Sequence, residues 1–97
     1  MAIYKNITGE LTQELLSATS EQSCSSILLC NISGSSCKVD LYIEKKLTGK
    51  FYIIKDFLLH MGQTLVQDVR RDQEFGVYVK LTKSAAGINP EVDIIIR

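Results

Sequence analysis

Three segments of this chain alternate apolar and polar residues with a period of two, and that alternation constrains the fold more than any other feature. In the first segment Val39, Leu41 and Ile43 occupy every second position, and segments 77–81 and 92–96 repeat the pattern. Side chains of a β-strand point to alternate faces, so each segment presents one apolar face and one largely polar face. The pattern predicts antiparallel strands, each covered on one side as in the wall of a sandwich.

Glycines, a proline and small polar clusters separate short segments along the whole chain, which indicates strands joined by turns. Leu11, Leu15 and Leu16 also match helical spacing, but the neighbouring segments favour a strand there. We predict strands near 3–7, 10–17, 25–32, 37–45, 50–58, 64–70, 75–82 and 91–97. The predicted fold class is all-β: a single antiparallel β-sandwich, jelly-roll or Ig-like, of about seven to eight strands.

Two of the predicted turns have the composition of hairpin loops. The stretch 45–50 contains Gly49 between two strand patterns, and Ser33, Gly34, Ser35 and Ser36 lie between the strands near 25–32 and 37–45. Glycine and serine suit tight turns because they tolerate unusual backbone angles or bond the nearby backbone. We therefore expect a hairpin at each of these two positions.

The length and charge of the chain restrict its organisation and its partners. Ninety-seven residues suit one domain, 1–97, with 1–9 as a candidate N-terminal arm. Eleven basic and eleven acidic residues cancel, and no segment concentrates lysine or arginine, so nucleic acid is not an expected partner. The N-terminal sequence lacks the order of a signal peptide, and no apolar run reaches the roughly 18 residues of a membrane helix. We expect a protein made and kept in a cytosol, without a membrane partner.

The residues able to carry chemistry do not form a recognisable site in the sequence. Cys24, Cys30 and Cys37 lack the close spacing of zinc or redox pairs, and they are interpreted as reduced, small hydrophobic residues. Cys30 and Cys37 would face each other only if the stretch between them is a hairpin. His60 is the single histidine and is interpreted as a loop residue. We expect no enzyme, no catalytic residues, no cofactor and no metal.

Aromatic residues and the last strand are the candidate interface. Rings on the outward side of a sheet fill protein interfaces, and a strand with three consecutive isoleucines is apolar on both faces. Such a strand needs a partner sheet or another subunit, which makes self-assembly an expectation. The candidate interface residues are Tyr42, Phe51, Tyr52, Tyr78, Ile94, Ile95 and Ile96.

The order of these elements resembles that of small β-sandwich structural proteins of tailed bacteriophages. The resemblance rests on the strand and loop at 27–34, the following Val39–Ile43, the segment Tyr52–Lys55, the turn Met61–Leu65 and the closing strand Val92–Ile96. It implies a virion component assembled in the host cytoplasm: a capsid decoration protein, a neck or tail accessory, or a small fibre-associated domain. It also implies that the protein binds copies of itself and other capsid or tail proteins, and that Asn31 forms a turn by bonding the backbone beyond it.

A ligand-binding module is the alternative that the sequence leaves open. In this reading Tyr42, Tyr52 or Tyr78 offers a ring on which a sugar stacks, and Asp68 or Asp72 supplies polar contacts. The cluster around Arg70, Arg71 and Glu74 is more simply a solvated turn. The two functions differ in their predictions, because a structural module associates with proteins and a lectin-type module binds sugar as a monomer.

Overall fold

The computed structural model describes residues 3–18, 25–69, 74–84 and 88–97. In these ranges the strand pattern of the sequence forms eight β-strands. The strands are β1 (Ile3–Thr8), β2 (Thr12–Leu16), β3 (Ser26–Asn31), β4 (Cys37–Lys45), β5 (Gly49–Leu59), β6 (Thr64–Asp68), β7 (Gly76–Lys83) and β8 (Glu91–Ile96). The predicted all-β class is confirmed. The stretch with helical leucine spacing is β2, a strand.

The strands form two antiparallel four-stranded sheets that face each other. Sheet A has the order β1-β8-β3-β6, and sheet B has the order β2-β7-β4-β5. The pairs β1–β8, β2–β7, β3–β6 and β4–β5 are nested along the chain, which is the arrangement of a jelly roll. Residues 3–8 of the candidate N-terminal arm are β1, an edge strand of sheet A.

The core lies between the two sheets and is built from the alternating apolar positions. Ile27 and Leu29 of sheet A are fully buried, as are Leu41 and Val79 of sheet B. Burying a large aliphatic side chain stabilises the fold by about 1.5–3 kcal/mol, so these positions hold the sheets together. The remaining buried apolar residues of the described chain include Ile7, Leu15, Leu16, Cys37, Val39, Leu59, Val69, Val77, Leu81, Val92, Ile94 and Ile96.

The expected hairpin between β3 and β4 is wrong, because β3 belongs to sheet A and β4 to sheet B. The chain instead crosses from one sheet to the other through the serine-rich loop. Asn31, which has no exposed surface, holds this crossing: its Nδ2 donates to the carbonyls of Ser35 and Leu59, at 2.9 Å each. Its Oδ1 accepts the backbone N–H of Ser33 at 3.0 Å, the bond expected of a turn-forming asparagine. A buried amide with all its groups bonded makes the crossing well defined.

The second expected hairpin, between β4 and β5, is observed. The backbone N–H of Thr48 donates to the carbonyl of Lys45 at 3.0 Å and closes the turn. Leu47, fully exposed at the tip, has a φ of 70° and Gly49 has a φ of 109°. The positive φ of Gly49 suits glycine, which has no Cβ to clash in this region. The hairpin brings Tyr52 beside Tyr42.

Candidate functional site

An apolar row crosses all four strands on the outward side of sheet A. Tyr4 pairs with Ile95, Ile95 with Leu28, and Leu28 with Val66, so the four side chains lie side by side in the order of the strands. Tyr4 is 73% exposed and Val66 is 58% exposed, whereas Ile95 and Leu28 on the inner strands are half-buried by their neighbours. We call these four residues the sheet A row. The row places a strip of apolar surface against solvent.

Charged and polar side chains border the sheet A row. On the central strand β8, Asp93 and Arg97 are the outward positions on either side of Ile95 along the chain. Asn6 donates from Nδ2 to Asp93 at 2.7 Å and to Glu91 at 3.2 Å. An apolar centre with a polar border is the usual anatomy of a protein interface.

A second row, made of tyrosines, crosses sheet B on its outward side. Glu14 pairs with Tyr78, Tyr78 with Tyr42, and Tyr42 with Tyr52. The rings of Tyr42 and Tyr78 stack, with 5.4 Å between centroids and 11° between planes, and Tyr52 tilts against Tyr42 at 5.3 Å. Both separations lie in the range where aromatic pairs attract beyond their burial. Tyr42, Tyr52 and Tyr78 are called the tyrosine row.

The three rings of the tyrosine row differ in how far other residues cover them. Tyr42 is only 4% exposed, and the Nζ atom of Lys50 lies 5.0 Å from its centroid. Tyr52 is 44% exposed, and the Nζ atom of Lys55 lies 4.7 Å from its centroid. Lysine ammonium groups at these distances interact favourably with the ring face. Contacts inside the protein therefore cover Tyr42 almost completely and Tyr78 in part, and leave Tyr52 the most open of the three.

These surroundings raise the pKa of two hydroxyls in the tyrosine row. The Tyr78 hydroxyl donates to Glu14 Oε2 at 2.9 Å, and this bond to a carboxylate raises the pKa of Tyr78. Burial raises the pKa of Tyr42, with Lys50 acting in the opposite sense. Both shifts favour the neutral phenol, which keeps the row uncharged on the tyrosine side.

A buried carboxylate next to the tyrosine row was not foreseen from the sequence. Asp40 lies opposite both Lys55 and Asp56, because β5 has a bulge there, and its Oδ1 accepts the Asp56 backbone N–H at 2.6 Å. Its Oδ2 lies 3.7 Å from Lys55 Nζ. The φ of Asp56 is 52°, a left-handed conformation that aspartate tolerates better than most residues. The sequence signal is slight, since a bulge of one residue leaves no composition signature.

The structure separates the predicted interface residues into four groups. Tyr42, Tyr52 and Tyr78 come together on sheet B, and Ile95 joins the sheet A row. The prediction of Ile94 and Ile96 as interface residues is wrong, and the partner that covers them is the other sheet of the same chain. Ile94 and Ile96 point into the core and are 1% and 0% exposed, because they lie on the face of β8 that is turned toward sheet B, whereas Ile95 lies on the opposite face.

Phe51 lies apart from the tyrosine row. It pairs with Ile43, so its side chain is on the opposite side of sheet B from that of Tyr52. Its ring meets Phe75 edge-on at 6.1 Å, and the Nζ atom of Lys45 lies 5.8 Å from the Phe75 ring. These residues form a small cluster at the end of the sandwich rather than part of either row.

Some polar residues were predicted to contact a sugar together with the tyrosines. Those that the structure describes do not lie beside the tyrosines. Asp68 is on β6, the edge strand of sheet A, whereas the tyrosines are on sheet B. Asp72, Arg70 and Arg71 lie outside the described residues. Polar neighbours of the tyrosine row are instead Glu14 and Asp40.

The cysteines and the histidine are also separated by the fold. Cys30 is half-buried on the outward side of sheet A, at the level of Asp93, while Cys37 is buried in the core of sheet B, so the two do not face each other. Cys24 lies outside the described residues. His60 is exposed, with its Nδ1 3.4 Å from Ser36 Oγ. Across the described ranges, no three His, Cys, Asp or Glu side chains are grouped to hold a metal ion.

No helix in the part of the chain that is described has the length and apolar character needed to cross a membrane. No family model matches the sequence, and no curated protein matches it. Among solved structures, the crystal structure of PirA is similar in fold, with a TM-score of 0.69. The match covers 97% of this chain and 93% of that chain at 11% sequence identity. At this identity, the likeness shows that the two proteins share a fold.

Proposed function

We propose that this protein is a non-enzymatic structural module that docks through the outward side of sheet A onto copies of itself or onto other virion proteins. The sheet A row is the observation that carries this proposal. Its exposed ends, Tyr4 and Val66, and its half-buried centre form one continuous apolar strip across the sheet. Continuous apolar surface of this kind marks interaction sites, because association removes it from water.

The composition of this face fits a protein partner better than a small ligand. The face does have a depression of about 410 Å³ lined by Tyr4, Asn6, Asp93 and Ile95 among others, but it is open to solvent, whereas small-molecule sites enclose most of their ligand. An aromatic ring and aliphatic side chains at the centre, with Asn6, Asp93 and Arg97 around them, match the apolar core and polar border of protein interfaces.

The particle to which we assign the protein is that of a tailed bacteriophage, as a capsid decoration protein or as a neck or tail accessory. Support comes from the resemblance of the sequence to small virion sandwich proteins. The jelly roll is also a fold that viral capsid proteins use, although lectins use it as well. Because one fold hosts both functions, the choice between them depends on the faces of the sheets.

Carbohydrate binding through the tyrosine row is the second candidate. The convergence of Tyr42, Tyr52 and Tyr78 on one face favours it. Stacking on a sugar needs an open ring face, and the nearly complete burial of Tyr42 leaves Tyr52 as the ring with more accessible surface of that pair. This candidate predicts saturable sugar binding by a monomer, lost on Tyr52→Ala.

Incorporation into particles tests the docking proposal. Tagged wild-type protein, Val66→Lys and Leu47→Lys are each expressed in cells that produce the particle, and particles purified on a density gradient are assayed for the tag by gold labelling and blotting. Val66 and Leu47 are both exposed apolar residues, but only Val66 belongs to the sheet A row. We expect the wild type and Leu47→Lys to be incorporated and Val66→Lys to be lost, since a lysine ammonium resists burial.

Two results would contradict this proposal. Particles without wild-type label would remove the virion assignment, and equal incorporation of Val66→Lys and wild type would remove sheet A as the docking face. In either case, a glycan array with wild type and Tyr52→Ala decides whether the carbohydrate candidate takes its place.

A further inference from the structure

Resting on the docking face proposed above, we infer that the partner of the sheet A row is a second copy of this chain, related by a two-fold axis that runs along the row. Such an axis lies between the two facing sheets, at right angles to the strands, and passes over β8 at the level of Ile95. Each residue of the row then meets its own counterpart, as in the isologous interface of a two-fold dimer. The strands of the two sheets stay aligned, which is a standard way for sheets to pack face to face.

The charges on β8 favour a second copy as the occupant. Asp93 and Arg97 are the outward positions before and after Ile95, each about 7 Å from it along the strand. Rotation by 180° about the axis that passes over Ile95 brings the Arg97 position of one copy opposite Asp93 of the other. The dimer therefore contains two opposite-charge pairs, Asp93 with the second copy's Arg97 and the reverse. Charge that is complementary to itself in this way specifies a partner and its orientation.

The same charges select this axis over the other face-to-face arrangement. A two-fold axis running along β8 would place Asp93 over the second copy's Asp93 and Arg97 over the second copy's Arg97. Like charges facing each other disfavour that arrangement. With the axis along the row, the positions on the neighbouring strand β3 are also compatible, since the Cys30 position faces Ser26 of the second copy.

The size of the face predicts a weak, concentration-dependent dimer. Four strands about 4.8 Å apart, over about six residues of about 3.4 Å each, give a face of roughly 400 Å² in projection. Two such faces bury less surface than the roughly 1,200–2,000 Å² of stable complexes, so a micromolar or weaker dissociation constant is expected. Weak pairing of this kind becomes strong when copies are held close together on a particle.

Charge reversal with complementation tests the two-fold arrangement. Wild type, Asp93→Arg and Arg97→Glu are compared by sedimentation velocity over a wide concentration series. Each single variant creates two like-charge pairs in its own dimer, so its dissociation constant should rise at least about tenfold. An equimolar mixture of the two variants restores two opposite-charge pairs. In the mixed dimer, the arginine introduced by Asp93→Arg meets the glutamate introduced by Arg97→Glu, and the native Arg97 of the first variant meets the native Asp93 of the second.

The mixture should therefore dimerise within about threefold of wild type. Circular dichroism confirms that each variant is folded, so that a loss of dimer is not mistaken for a loss of structure.

The outcomes separate this inference from the function on which it rests. Wild type that stays monomeric at the highest concentration overturns the two-fold dimer, as do single variants that dimerise like wild type, or a mixture that stays monomeric. If the dimer is overturned while Val66→Lys still prevents incorporation into particles, the sheet A face docks onto a different protein and the proposed function stands. If incorporation is unaffected by Val66→Lys, sheet A is not the docking face, and the part of the proposed function on which this inference rests fails.

Discussion

The outward faces of the two sheets carry equivalent rows of large side chains, yet the rows differ in how much of their surface the protein itself covers. In the tyrosine row, each ring meets another ring, a lysine or a carboxylate, and Tyr42 is 4% exposed although it points away from the core. In the sheet A row, Tyr4 and Val66 remain open to solvent. An outward aromatic residue is therefore a surface for a partner only where its neighbours leave it uncovered.

The largest expected effect is on folding stability, through the tyrosine row. Tyr42→Ala should lower the free energy of unfolding by about 3–5 kcal/mol, since it removes a buried ring that two other rings pack against. Val66→Ala, in the sheet A row, should change it by less than about 0.5 kcal/mol, because Val66 is exposed on an edge strand. Urea unfolding followed by circular dichroism measures both. Similar losses for the two variants would show that the rows are not covered differently.

The sequence predicted the strands well and their connections less well, for a physical reason that the two rows illustrate. Period-two alternation states which residues share a face, and it places Val39 and Leu41 in the core and Ile43 against it, as found. It does not state which strands are neighbours. The serine-rich loop after Asn31 has the composition of a hairpin loop, but a chain that crosses between sheets needs the same turn-forming residues.

The three isoleucines of the last strand illustrate the same point, that alternation predicts the face of a residue but not its neighbours on other strands. Alternation with Asp93 and Arg97 predicted that Val92, Ile94 and Ile96 share a covered face, as found, but it did not show that Tyr4 and Leu28 would lie on either side of Ile95. Likewise, the tyrosine row requires that β4, β5 and β7 be adjacent in a particular register. Registers of this kind depend on contacts between residues far apart in sequence, which one sequence does not reveal.

A smaller effect is expected from the glycine beneath the tyrosine row. A Cβ atom at Gly76 would lie 2.9 Å from Tyr78 Cε1 and 3.3 Å from the Leu16 carbonyl oxygen. Gly76→Ala should therefore cost about 1–3 kcal/mol of unfolding free energy by displacing the Tyr78 ring. Gly34→Ala is the matched control, because a Cβ there meets nothing within 4 Å.

A double-mutant cycle assigns this cost to the tyrosine row. In a Tyr78→Ala background, Gly76→Ala should cost clearly less, leaving only the contact with the Leu16 carbonyl. Thermal or urea unfolding of the four proteins gives the coupling. Additive costs would mean that Gly76 acts through the backbone and that Tyr78 does not lie over it in solution.

The smallest expected effect is spectroscopic and tests the polar end of the tyrosine row. The bond from the Tyr78 hydroxyl to Glu14 raises the pKa of Tyr78, so Glu14→Gln should move that pKa down toward the ordinary value of about 10. The pKa of Tyr42, raised chiefly by burial, should change less. Site-resolved ¹³C NMR of the tyrosine Cζ atoms during an alkaline titration follows each ring separately.

The sign of the linked effect on stability follows from the direction of the shift. A phenol whose pKa is higher in the folded state holds its proton more tightly there, so the stabilisation is fully present below about pH 10 and is lost as pH rises through the folded pKa. The loss of stability above about pH 10 should therefore be smaller in Glu14→Gln than in wild type. An unchanged Tyr78 titration in that variant would mean that the hydroxyl is not bonded to Glu14 in solution. The tyrosine row would then have an open polar end, and its contrast with the sheet A row would be weaker.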